Sequence, residues 1–313
     1  MDGAELTGKT VLITGASGFT GRHAVHYFQG AGADVAAVVR RPDVYAFDKK
    51  VGIHVCDLND KHQVRELIKH VQPDYVLHLA GKNSVPDSWA DPLLVLETNV
   101  MAVLYLLDAL RSCPDARTVI VGSRLKYTPE PGRVPAPPHP YSLSKALEEM
   151  VSLSWMSLFG QQIMLAEPGN LIGAGPSTGI CSLLARHVVA CEQTGKTEAF
   201  RLSGRHNTRD FLDVRDAVRA YAVLLLHGTS GMVYPVVSGV ERSLGEIAEL
   251  LLSMTDAEVP MRWDGASSGP DGAGKQEELS ELRRLGWQPQ IAFEESLRDI
   301  LSDVRARQGR ISE

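Results

Sequence analysis

Six short apolar runs punctuate the first half of the chain: "TVLITGA" from Thr10, "DVAAVV" from Asp34, "GIHVCDL" from Gly52, "DYVLHLAG" from Asp74, "RTVIVGS" from Arg117 and "QIMLAE" from Gln162. Each has the length of a strand, and each is apolar almost throughout rather than alternating. That pattern predicts strands buried on both faces. Between them lie longer amphipathic stretches, Gly21–Gln29, Lys61–His70, Leu93–Arg111 and Tyr141–Leu158, which predict helices. Strands alternating with helices imply a doubly wound α/β fold around a parallel sheet.

The alternation loosens after Asn170, where "GAGPSTG" and "PDGAGK" read as loops. Residues 171–205 and 255–290 are expected to form a smaller C-terminal lobe. Residues 206–254 return to helix and strand and are expected to rejoin the first domain, residues 1–170. The last segment, 291–313, carries "FEESLRDILSDVRARQ" and predicts a closing amphipathic helix.

Composition narrows the class. The chain has 313 residues, 44% hydrophobic and 22% charged, with a net charge of −6. It is long enough for a large core, and with no basic run it is not expected to bind nucleic acid. Cys56, Cys113, Cys181 and Cys191 are far apart, form no CxxC pair and read as reduced, mostly buried thiols; no metal site is assigned. The opening "MDGAELTGKT" lacks the apolar core of a signal peptide. No uninterrupted apolar run approaches ~18 residues, so no membrane span is expected. A cytoplasmic enzyme or binding protein is the default.

The first strand ends in "TGASGFTGRH", with Gly15, Gly18 and Gly21 spaced GxxGxxG ahead of a helix. In that setting the first glycine permits the turn, the second lets backbone approach a pyrophosphate, and the third lets helix and strand pack closely. The second strand bears on which dinucleotide would bind. An acid at its end would hold a ribose 2′-hydroxyl, but Val39 stands there, followed by Arg40 and Arg41. A guanidinium suits a 2′-phosphate, so NADP(H) is favoured over NAD(H), although two solvent arginines in a loop would look the same. Asp57 is placed to touch the adenine; Asn59 or Asp60 is the more natural cap for the Lys61 helix. Ser17, Phe19, Thr20, Leu58, Leu79 and Ala80 complete the expected cofactor contacts.

In "HPYSLSKALEEM", Tyr141 and Lys145 stand four apart on a helix opened by Pro140, so their side chains share one face. An ammonium beside a phenol favours the phenolate, which suits proton exchange with a carbinol oxygen. Ser123 ends the preceding strand, where open α/β sheets form their ligand crevice.

"TGASGFTG", "HLAG", Ser123, "YSLSK" and "RDFLDVRD" together resemble the extended short-chain dehydrogenase/reductases that act on nucleotide sugars, over nearly the whole chain. "QPDYVLHLAGKNSVPDSW", "VGSRLKY", "TRDFLDVRDAVRAY" and "SGMVYPVVSG" are most similar to the GDP-4-keto-6-deoxymannose reductases of that family. The resemblance implies a Rossmann domain with a substrate lobe. Tyr141 would be the acid, Ser123 its partner, and Lys145 the holder of the nicotinamide ribose. Ser84 would face the hexose, Asn170 would sit beside the diphosphate, Arg209 would bind it, and Arg201 would lie near the base. An ion pair of Arg209 with Asp213 or Asp216 is the plainer alternative. Two departures stand out: Glu167 replaces an arginine, and Gly269 precedes Pro270 where a late Arg-Pro pair is usual, leaving Arg262 or Lys275 to compensate.

The resemblance also separates reactions. A 4,6-dehydratase carries an acid/base pair just after the active-site serine or threonine; here stand Arg124 and Leu125. A 3,5-epimerase/reductase needs an extra donor there, and Leu125 has none. Reduction of a nucleotide-linked 4-keto-6-deoxyhexose at C4 remains, with a 4-epimerase retaining NAD as the alternative. A non-catalytic dinucleotide sensor is a further one. The Leu93–Arg111 and Tyr141–Leu158 helices are candidates for a homodimeric four-helix bundle, or for ordinary core packing.

Overall fold

The computed structural model describes residues 5–42, 47–195, 197–264 and 280–309. In chain order the first part runs β1 (Thr10–Thr14), α1 (Phe19–Gly30), β2 (Asp34–Val39), β3 (Gly52–Val55), α2 (Lys61–Val71), β4 (Tyr75–His78), α3 (Val85–Ala90), α4 (Pro92–Leu96), a π-helical segment (Glu97–Met101), α5 (Ala102–Leu110), β5 (Arg117–Val121), α6 (Pro140–Phe159) and β6 (Gln162–Pro168). It continues β7 (Asn170–Ile172), α7 (Ile180–Thr194), β8 (Phe200–Ser203), β9 (Thr208–Asp213), α8 (Val214–His227), β10 (Val233–Val236), β11 (Glu241–Ser243), α9 (Leu244–Leu252), β12 (Met261–Asp264), α10 (Ser280–Arg284) and α11 (Phe293–Gly309).

The chain divides into two compact units, residues 1–167 with 218–234, and residues 168–217 with 235–313. The first is built on a seven-stranded sheet of order β10-β6-β5-β4-β1-β2-β3. Its β1–β2, β2–β3, β1–β4, β4–β5 and β5–β6 pairs are parallel. The order reverses at β1, flanked by β2 and β4, so the connections leave to opposite faces there and open a crevice at the carboxyl ends of the strands, where such sheets bind ligands. Val11, Leu12, Ile13, Val76, Leu77, Val119, Ile120, Ile163 and Met164 are fully buried, as near-continuous apolar strands require. On one face, Leu12, Val38 and Val76 pack with Val64 and Ile68 of α2 and with Val103, Leu106 and Leu107 of α5.

The helix from Pro92 to Leu110 is 19 residues long and apolar enough, by length and composition, to cross a membrane, although Glu97, Asn99 and Asp108 interrupt its apolar run. Its Val95, Asn99, Val103, Leu106, Leu107 and Leu110 are buried within the unit, against α2 and α6. All four cysteines are free; Cys113 is half-buried and the other three are buried.

The second unit has a three-stranded sheet of order β11-β9-β7 and a two-stranded ribbon of β12 and β8. Its core joins Leu184, Ala185 and Val188 of α7, Leu244, Ile247 and Leu251 of α9, and Leu297, Ile300 and Leu301 of α11. Residues 206–217 and 235–254, expected with the first domain, therefore lie in the second unit. The reason is hydrogen bonding: β9 pairs with β7 and β11, not with the seven-stranded sheet. Of that returning segment, residues 218–234 belong to the first unit.

Candidate active site

The glycine turn closes between β1 and α1. Gly15 is left-handed at φ +64°, and the Gly18 amide donates to its carbonyl at 2.9 Å. A Cβ at Gly15 would lie 2.9 Å from the Ala80 nitrogen, and one at Gly21 only 2.2 Å from the Gly15 oxygen. Backbone is thus packed as closely as glycine allows, with no side chain able to fill the cradle. Gly18 caps α1 without a side chain, and the first turn, opened by Phe19 and Thr20, has no acid, so the helix end suits an anion. The Ser17 carbonyl accepts from Arg22 Nε at 2.8 Å, fixing the turn to the helix. The cradle fits the pyrophosphate of a dinucleotide.

The neighbouring strand end is held by a buried residue that the motif hides. Thr14 Oγ1 accepts from the amides of Leu79 and Ala80 at 3.1 and 3.2 Å. It also lies 2.9 Å from His78 Nδ1. Two accepted bonds use both lone pairs, so the Thr14 hydroxyl donates to Nδ1 and the His78 proton sits on Nε2, which is buried without a partner. Burial, with the Lys145 ammonium adding to it, pushes the imidazole down to about 3. His78 is therefore neutral.

At the end of β2, Val39 is buried while Arg40 and Arg41 are exposed. Asp57 is exposed too, its Oδ1 accepting from the Asn59 amide at 3.0 Å. Asp60 caps α2, accepting from His62 and Gln63. Leu58 is half-buried and packs against the apolar core below the sheet. Ser84 caps α3, accepting from the Asp87 amide at 3.2 Å, so its hydroxyl already has a structural task.

The Tyr–Lys pair lies on the buried face of α6. His139 caps that helix through Nδ1, which accepts from the Ser142 amide at 3.0 Å, and its ring stacks beside Tyr141 with centroids 6.0 Å apart. Tyr141 is 5% exposed and Lys145 is 6% exposed. Lys145 Nζ donates to the Val121 carbonyl at 3.1 Å, reaching the end of β5 two residues before Ser123. Ser123 Oγ accepts from the Leu125 amide at 3.1 Å, turning the chain. The Tyr127 amide then donates to the Ser142 carbonyl at 3.0 Å, tying this loop to the first turn of α6. Ser123, Tyr141 and Lys145 are thus brought into one neighbourhood.

Three polar features here had no place in the motif reading. Asn99, fully buried in the π-helical segment, bonds the amide and carbonyl of Lys82 and Ser144 Oγ, all within 2.8–2.9 Å. Glu148, fully buried, accepts from Lys145 Nζ at 2.8 Å. Lys126, in the Ser123 loop, pairs with both Glu149 and Glu167. Burial pulls Lys126 down, but the two carboxylates outweigh it and hold the ammonium above its usual range, while burial raises Glu167. Asn99 had one legible signal, a lone amide in an apolar helix; Glu148 had its spacing from Lys145.

In the second unit, Asn170 opens β7 and donates to the Asp210 carbonyl at 3.1 Å. Arg209, on β9, stands directly opposite Arg242 of β11. Asp213 is taken by Arg215 and Ser296, and Asp216 by the amides of Gln290 and Ile291. Arg201 and Arg262 are partners across the β8–β12 ribbon, both exposed, so two guanidiniums stand on one face. Gly269, Pro270 and Lys275 lie outside the described residues. Among the described residues no cluster of three or more His, Cys, Asp or Glu could hold a metal.

A parallel sheet with its order reversed at β1, a glycine cradle there and a Tyr–Lys helix beside it define a dinucleotide-dependent enzyme. The model of the NAD dependent epimerase/dehydratase family matches residues 11–236, and the chain belongs to that family. It is 31% identical to a GDP-6-deoxy-D-mannose reductase of Pseudomonas aeruginosa, over 95% of this chain and 97% of that protein. It is 26% identical to a UDP-glucose 4-epimerase of Lacticaseibacillus casei, over 90% of this chain and 92% of that one. A solved structure of the Pseudomonas aeruginosa protein RMD complexed with NADPH superposes with a TM-score of 0.81 at 30% identity, covering 96% and 99% of the two chains.

Proposed function

We propose that the chain reduces the C4 ketone of a nucleotide-linked 4-keto-6-deoxyhexose, GDP-4-keto-6-deoxymannose in the first instance, with NADPH. The observation that carries the reading is a minimal Ser–Tyr–Lys set with no acid beside Ser123, in a chain similar along its whole length to a GDP-6-deoxy-D-mannose reductase. The glycine cradle and the α1 amides would hold the pyrophosphate, and Lys145 the nicotinamide ribose. The bound cofactor supplies the hydride. The Tyr141 hydroxyl donates its proton to the oxygen that becomes the C4 alcohol, with the Ser123 hydroxyl holding that oxygen. The buried setting of Tyr141 keeps water from competing for the proton.

Arg40 and Arg41, exposed where an acid would otherwise hold a ribose hydroxyl, support NADPH over NADH, as does the NADPH bound to the Pseudomonas protein. The Arg201–Arg262 face and Arg209 supply cations for the sugar diphosphate. Leu93 and Met101 on the Pro92–Leu110 helix, and Met150 and Leu158 on α6, are exposed, which supports a homodimer that covers both helices.

The test is NADPH consumption by purified protein with GDP-4-keto-6-deoxymannose. Wild type should oxidise NADPH, and Tyr141→Phe should lose about 10²–10⁴-fold in rate while still binding cofactor. Full activity in Tyr141→Phe would overturn the mechanism. Interconversion of UDP-hexoses at C4 by wild type, with NAD retained through purification, would instead favour the 4-epimerase reading.

A further inference from the structure

Tyr141, Lys145 and Glu148 are spaced i, i+4 and i+7, so the three lie in line along one face of α6. All are buried, Glu148 completely. Glu148 Oε2 accepts from Lys145 Nζ at 2.8 Å, and its other oxygen, Oε1, is buried with no hydrogen-bond partner. A carboxylate placed for packing or for a structural network would have both oxygens satisfied. This one is desolvated at high cost to serve a single group, the ammonium of the site.

We propose that Glu148 is a built-in counter-ion of Lys145, a positioning residue that withholds part of the ammonium's field from the Tyr141 phenol and so keeps it a proton donor. This rests on the reading of Tyr141 as the acid. An uncompensated ammonium favours the phenolate, which is the base form; pairing it with Glu148 favours the protonated form that carbonyl reduction requires. Burial lowers Lys145, but Glu148 and Tyr141 outweigh it and hold it charged; burial raises Glu148, and the ammonium opposes that rise. The other titratable groups that face these residues are His139, which stacks beside Tyr141 and is lowered by burial, His78 from β4, held neutral, Glu149 on α6 itself, and Lys126, which pairs with both Glu149 and Glu167. None of these is in hydrogen-bond contact with Lys145.

The experiment is a pH titration of protein carrying ¹³C-labelled tyrosine, with the Tyr141 resonance assigned by its loss in Tyr141→Phe. It needs no substrate, so a wrong sugar assignment leaves its result intact. In Glu148→Gln the Tyr141 midpoint should fall by about one to two pH units, and Glu148→Asp, which keeps the charge, should restore most of the difference. With any substrate that wild type reduces, the rate in Glu148→Gln should decline at correspondingly lower pH. If glutamine at 148 leaves no folded protein, the aspartate variant against wild type carries the test, with a smaller fall expected. Coincident midpoints, or a rise, in whichever variant folds would overturn the proposal.

Discussion

Replacing His78 with asparagine should flatten the acid side of the stability profile. His78 is 1% exposed, and its Nδ1 receives the Thr14 hydroxyl, whose two lone pairs are already engaged by Leu79 and Ala80. Protonating Nδ1 would set two hydrogens against each other in a buried site near Lys145. The folded value is accordingly about 3, against 6.5 for a free imidazole. The sign follows: below pH 6.5 the unfolded chain takes up a proton that the folded one refuses. Stability is thus full above that pH and falls as the pH drops toward 3. Each unit is worth about 1.4 kcal/mol, so the whole interval amounts to about 5 kcal/mol and the part down to pH 5 to about 2 kcal/mol. Asparagine can accept from Thr14 through its amide oxygen and does not titrate. Urea unfolding of both proteins between pH 7.5 and 5, followed by far-UV circular dichroism, measures the difference. Wild type should lose about 2 kcal/mol more than His78→Asn over that range. Parallel profiles would show that His78 is not held neutral, and the assignment of its proton to Nε2 would fall with it.

Arg40→Asp should reverse the cofactor preference, lowering kcat/KM for NADPH by about 10–100-fold and sparing NADH, since a charge-assisted bond to a phosphate is worth about 1.5–3 kcal/mol; an unchanged NADPH:NADH ratio would remove Arg40 from the cofactor site. If the proposed homodimer forms, wild type should sediment as a dimer, and Leu93→Glu and Leu158→Glu, each at a position 70% exposed, should yield monomers by sedimentation velocity without changing the helical signal; a wild type that is monomeric at ~10 μM would count against the four-helix interface.

The elements that were legible in the sequence are those whose signal is local. The near-continuous runs at Thr10–Thr14 and Tyr75–His78 predict buried parallel strands because burial on both faces permits no alternation. Gly15, Gly18 and Gly21 and the Tyr141–Lys145 spacing are legible for the same reason, since each motif is complete within ten residues. What escaped depends on pairing across the fold. Whether β9 joins the large sheet or β7 and β11 is a matter of register, and "TRDFLD" would serve either. Ser84 and Asp57 read as ligand contacts by position, yet both make local bonds to backbone amides, as short polar side chains at helix starts and turns do. Thr14 was absorbed into an apolar strand, and only the β1–β4 register shows that it faces His78.

The replacement of an arginine by Glu167 is the clearest instance of meaning carried by distant residues. Taken alone, an acid at that position reads as the loss of a cation beside the site. Within the fold a cation does stand beside it: Lys126, on the loop that Ser123 opens, lies between Glu167 at the end of β6 and Glu149 on α6. One ammonium serves two partly buried carboxylates, and burial raises Glu167 while Lys126 opposes that rise. The clamp joins the loop, β6 and α6 three residues from Ser123. Removing Lys126 would leave both carboxylates without their cation, at a cost below the ~3–5 kcal/mol of a fully buried pair because all three side chains keep some contact with solvent. The altered charge therefore fixes the Ser123 loop against the Tyr141 helix rather than weakening it. The acid at 167 and the lysine at 126 act as one charge pair, although 41 positions separate them in the chain.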